Sequence, residues 1–123
     1  MSLHDAVFAA SPAVRYVAVY RNGSLSSRQR AGIAGASAGE SDKYEELIVN
    51  PTLITLLRQR GDIDCGGLDY ALIRYGSFFE LVVPLRDGHL SVGLEATADP
   101  GALAGAICAL PAVAEARPRA RSN

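Results

Sequence analysis

The chain has 123 residues, 49% of them hydrophobic, and a formal net charge of −1. That length supports one hydrophobic core rather than two, and the balanced charge lacks the basic footprint that nucleic-acid binding requires. No run approaches the roughly 18 apolar residues of a membrane span, and MSLHDAVFAA lacks the basic start and long apolar centre of an export signal, so a cytoplasmic protein without a membrane partner is expected.

The first element is a short helix over residues 2–11. Ser2 and Asp5 form a capping arrangement, Leu3, Val7 and Ala10 recur near helical spacing, and Ser11-Pro12 ends the run. Next, VRYVAVYRNGSLSSRQR flanks Asn22-Gly23 with β-branched and aromatic residues, the pattern of a two-residue hairpin with strands near 14–21 and 24–30. Alternation sets Arg15, Val17, Val19 and Arg21 on one face and Tyr16, Ala18 and Tyr20 on the other. The second strand is polar, and its Arg28 and Arg30 suit a sheet edge. The glycine-rich segment 31–40 reads as a mobile connection.

Ser41 or Asp42 is expected to cap a helix that turns Tyr44, Leu47 and Ile48 inward. Asn50-Pro51 then restarts it, with Asn50 as N-cap, giving two helical pieces or one kinked helix over 41–60. Leu53, Ile54, Leu56 and Leu57 widen its apolar face, and Gly61 offers a stop. From Leu68 the apolar period becomes two, and LDYALIRY, FFELVVPL and HLSVGLEA form a three-stranded meander. Asp99-Pro100 opens a closing helix, ALAGAICAL, which Pro111 ends, and residues 114–123 are expected to be a disordered tail. The order α-β-β-α-β-β-β-α describes one α/β (α+β) domain over residues 1–113. It has a five-stranded antiparallel sheet with helices on both faces.

Residues with chemical potential are few and scattered. Cys65 and Cys108 are far apart and outside any CxxC pair, which argues against a disulfide framework, a zinc site or a redox motif. Cys65 as a nucleophile would need His4 or His89 as its base, and nothing in the sequence joins them. Cys108 reads as a small core residue, and His89, after Gly88, as an exposed cross-strand residue. In GIAGASAGES the lysine of a phosphate loop is replaced by Glu40, so no nucleotide cofactor is expected. Asp62, Asp64 and Asp69 lack the ligand spacing of a calcium loop and read as a solvated acidic turn. No catalytic grouping is recognisable and no enzyme is expected. Lys43 is the only lysine among twelve basic residues, a composition suggesting a GC-rich bacterial source.

The hairpin RYVAVYRNGSL, the aliphatic strand followed by FFELVVPLRDG, and the DPGAL start of the closing helix resemble the Roadblock/dynein light chain family over residues 3–110. The resemblance implies a profilin-like sheet sandwich that dimerises through edge strands and middle helices, and an adaptor role that includes binding bacterial Ras-like GTPases. The long glycine-rich segment and the Asn50-Pro51 interruption depart from the family pattern. An uncovered LDYALIRY edge is an aggregation hazard that a two-fold partner removes, so a homodimer is expected through Leu53, Ile54, Leu57, Tyr70, Leu72 and Arg74. The alternative is a small-molecule sensor of PAS-like architecture, with Tyr70, Tyr75, Phe78 or Phe79 lining a pocket.

Overall fold

The computed structural model describes residues 2–33 and 38–119. Part of the glycine-rich segment expected to be a mobile connection lies outside the described residues, as do residues 120–123 of the expected tail. Helix α1 (Leu3–Ala10) is held by a reciprocal capping box in which the Asp5 N–H donates to Ser2 Oγ and the Ser2 N–H to Asp5 Oδ2, both at 3.1 Å. Strands β1 (Val14–Arg21) and β2 (Ser24–Gln29) follow, joined by Asn22 and Gly23 at φ 52° and 81°. Both turn residues take the left-handed backbone of a primed turn, and Arg21 faces Ser24 as the spacing predicts.

The sheet is completed by β3 (Ala71–Arg74), β4 (Phe78–Leu85) and β5 (Gly88–Glu95), all antiparallel, in the order β2-β1-β5-β4-β3. The third strand is shorter than the pattern from Leu68 implies. Gly88, at the start of β5, leaves no room for a side chain against β1: a Cβ there would stand 1.7 Å from the Tyr20 carbonyl oxygen.

One face of the sheet carries Val17, Val19, Leu81, Val83, Leu90 and Val92 against α1, α4 (Pro100–Ala109) and α5 (Pro111–Ala116). Asp99 caps α4 by accepting from the Ala102 N–H, with Pro100 in the first turn where no intrahelical donor is needed. The closing helix stops at Ala109, just before Pro111, as expected, but Pro111 also starts a further helix, because it too sits at a first turn, and Val113 and Ala116 are buried in the core. Order therefore extends past residue 113, where a disordered tail was expected.

A second departure lies in β1. The register of β1 with β5 shifts between Val14 and Tyr16, a bulge that sets Val14 and Val17 in the core and turns Arg15 to the side of Tyr16. Strict alternation had placed Arg15 with Val17. At the opposite edge, Arg28 is paired with Asp5 at 2.7 Å, and Arg30 donates to the carbonyls of Phe8, Ser11 and Val14. These bonds fasten α1 over β2.

The other face of the sheet is covered by one long helical run: α2 (Gly39–Tyr44), a single π-helical turn (Glu45–Val49) and α3 (Asn50–Asp64). Pro51 has no N–H to give the Leu47 carbonyl, and its ring crowds that oxygen. The wider turn just before it, in which the Asn50 N–H reaches back to the Glu45 carbonyl, relieves this and keeps the helix continuous. Asn50 is accordingly helical (φ −66°, ψ −43°) and not an N-cap. The run ends beyond Gly61, whose carbonyl accepts from the N–H groups of Cys65 and Gly67 at 3.1 Å each.

Candidate interaction surface

Two rows of residues on the middle helix, two positions apart in sequence, point in opposite directions. Glu46, Asn50, Ile54 and Gly61 are buried against the sheet. Tyr44, Ile48, Leu56 and Ile63 are 62%, 53%, 60% and 76% exposed, with Leu47 beside them. Residues two apart on a helix lie about 200° apart around its axis, so the two rows occupy opposite faces. Helical spacing in the sequence predicts Tyr44, Leu47 and Ile48 inward. The structure reverses them, because the inward positions of the first half are taken by polar side chains with partners on the sheet.

Those partners form a buried cluster. Three donors converge on the Glu46 carboxyl: His89 Nε2 at 2.8 Å and Asn50 Nδ2 at 2.9 Å to Oε1, and the Tyr16 hydroxyl at 3.1 Å to Oε2. Asn50 Nδ2 also lies 3.5 Å from Ser91 Oγ, and the Ser91 hydroxyl donates to Glu80 Oε1. The His89 ring stacks on Tyr20 with centroids 5.5 Å apart. Burial pushes the Glu80 carboxyl well above the usual carboxylate range, and the nearby carboxyls of Glu46, Glu45 and Asp42 push it the same way, against the Ser91 hydrogen bond. Burial likewise raises the Tyr16 hydroxyl, helped by Glu46. His89, read as exposed, is 2% exposed and joins β5 to the helix.

The first half of the helix is thus locked to the sheet by hydrogen bonds, and the row of Tyr44, Leu47, Ile48, Leu56 and Ile63 is left facing solvent. Near the start of the run, Tyr75, just after β3, donates its hydroxyl to Glu45 at 3.0 Å. β3 itself is bonded on one side only, by β4, within the sheet of the described residues.

The chain matches no protein-family model, and no curated protein matches it in sequence. Among solved structures it superposes on MglB with tetrameric arrangement, with a TM-score of 0.64 over 92% of this chain and 88% of that one, at 13% sequence identity. The fold is Roadblock/profilin-like.

On this Roadblock-like frame the residues expected at a dimer contact divide. Leu72 (37% exposed) and Arg74, whose guanidinium lies 4.9 Å from the Phe79 ring centroid, are on the open edge strand. Tyr70 packs against the aliphatic core, and Leu53 and Leu57 are half-buried. Ile54 is 6% exposed and belongs to the row that faces the sheet. The pattern of four leucines and isoleucines could not separate it from Leu56, whereas helical phase counted from the buried Glu46 and Asn50 does.

The other candidates stay apart. Cys65 is exposed at the end of α3, with its thiol 3.3 Å from Asp64 Oδ1; His4 Nε2 lies 2.8 Å from the Ser26 carbonyl on the far edge, and His89 is bound to Glu46. Cys108 packs against the core, which raises its thiol pKa. Asp64 and Asp69 pair with Arg60 and Arg117. Among the described residues no group of three His, Cys, Asp or Glu is placed to hold a metal ion, and no helix is long and apolar enough to cross a membrane.

Proposed function

We propose that this chain is a non-catalytic protein-interaction module that pairs with a second copy of itself and binds a Ras-like small GTPase. One observation carries the reading: a helix that buries Glu46 and Asn50 while exposing Tyr44, Leu47, Ile48, Leu56 and Ile63. An isolated domain gains nothing by that inversion, since burying the apolar row would stabilise it by about 25 cal/mol per Å². A partner surface recovers this energy.

A second copy is the occupant the geometry favours for the adjoining edge. The β3 strand is open, has exposed Leu72 on it, and satisfies its unpaired backbone groups when it meets its own symmetry mate. MglB in a tetrameric arrangement agrees with self-association of this fold. The GTPase half of the proposal rests on the Roadblock resemblance, and the cytoplasmic assignment accords with it. The direct test titrates the protein with a Ras-like GTPase from the same genome, loaded with GDP or with a non-hydrolysable GTP analogue. Saturable binding to one nucleotide state is expected. Absence of binding in both states removes the GTPase from the reading and leaves the self-pairing module.

A further inference from the structure

Beside the buried cluster the structure contains a cavity of about 250 Å³ between β1, the end of β2 and Ile33 beyond it, the turn after β3, β4, β5 and the start of the middle helix. At about 30 Å³ per water, this is room for roughly eight waters, or a molecule of similar heavy-atom count. Tyr16, Tyr75 and Phe78 supply aromatic walls, and Gly93 contributes the space its missing side chain leaves beside Tyr16, where a Cβ would stand 3.3 Å from the Tyr16 Cβ.

The charge of the lining is lopsided. Its charged side chains are Asp42, Glu45, Glu46, Glu80 and Arg15. The guanidinium of Arg15 is held by Glu95 at 3.0 Å and lies 5.9 Å from the Phe78 ring centroid, so its charge is offset outside the lining. Glu46 already takes three donors, Glu45 takes the Tyr75 hydroxyl, and Asp42 takes Gln29 Nε2 at 3.3 Å. Glu80 differs from these. It is 2% exposed and lines the cavity, one of its oxygens takes the Ser91 hydroxyl, and the other has no hydrogen-bond partner among the described residues.

A buried carboxyl with a spare oxygen facing a space walled by aromatic rings is complementary to a positive charge carried on an apolar body. We propose that this cavity binds a small organic ammonium ion, with Glu80 as the counter-charge and Tyr16, Tyr75 and Phe78 around the apolar part. The site lies within one copy of the chain and does not depend on the pairing proposed above.

Proton coupling follows from the surroundings. The groups facing Glu80 are Asp42 from α2, Glu45 and Glu46 from the π-helical turn, Arg15 and Tyr16 from β1, Ser91 and, beyond Glu46, His89 from β5, and Tyr75 after β3. Burial and the neighbouring carboxyls favour the neutral acid when no ligand is bound. An ammonium ion beside it favours the carboxylate, so binding releases a proton to solvent.

Calorimetric titration of the full chain with phenethylammonium, and with 2-phenylethanol and 3-phenylpropionate, varies ligand charge on nearly constant shape. The ammonium is expected to bind at least about tenfold more tightly than the neutral alcohol, with heats that differ between phosphate and Tris buffers because a proton is released. Glu80→Gln, a neutral isostere, should weaken ammonium binding about tenfold and abolish the buffer dependence. Tyr75→Ala, at a partly exposed wall position, should weaken all ring-bearing probes that bind. Equal affinity for the three probes, preference for the anion, no saturable binding at millimolar concentration, or unchanged binding by Glu80→Gln would each overturn the proposal.

Discussion

Glu80 is the residue whose environment differs most from what its type prefers. An acid whose folded pKa is raised binds more protons folded than unfolded, so stability falls as pH rises from the usual carboxylate range through the raised value. Glu45, also raised by burial, contributes with the same sign. Glu80→Gln removes the larger of these losses. Denaturant unfolding of the two proteins as a function of pH is therefore expected to show the Gln variant more stable at neutral pH and equal to the parent near pH 4. A parent that is the more stable at neutral pH would mean that Glu80 is paired in a way the hydrogen-bond network does not contain. No sequence signal marked this residue, because a Glu in FFELVVPL reads as the polar position of an alternating strand, and only the helix above it makes that position an interior one.

At the scale of elements, the hairpin and the caps were legible because their signals are local. Asn22-Gly23 admits few backbone conformations, and Asp99-Pro100 satisfies a helix start without help from the rest of the chain. The bulge at Arg15, the inward face of the middle helix and the helix after Pro111 were not legible, since each is decided by what lies across the core. Glu46 shows how firmly that decision is made. Glu46→Ala strands the Tyr16 hydroxyl, the Asn50 amide and His89 without their shared acceptor, which should cost about 3 kcal/mol in unfolding free energy. The loss should appear as earlier hydrogen exchange in α3 than in β5, since the helix is the element that loses its anchor. A cost below about 1 kcal/mol would mean that apolar contacts, such as that of Ile54, hold the helix by themselves.

For the whole molecule, the two faces of the sheet are stabilised by different means. Under α1, α4 and α5 the core is aliphatic, and under the middle helix it is largely polar, which frees the helix's apolar row for an outside contact. Fold class, strand order of the meander and the open β3 edge could be anticipated from sequence, while which apolar side chains the middle helix leaves exposed could not, because Leu53, Ile54, Leu56 and Leu57 look equivalent until the helical phase is known. The decisive measurement is light scattering behind size exclusion over a range of concentrations, on the parent protein and on Ile48→Glu/Leu56→Glu. Both changes fall on side chains more than half exposed, so the fold should survive them, as circular dichroism would verify. The mass of at least two copies is expected for the parent and of one copy for the variant. A parent that stays monomeric, or a variant that keeps the parent's mass, would contradict self-association through this face of the helix.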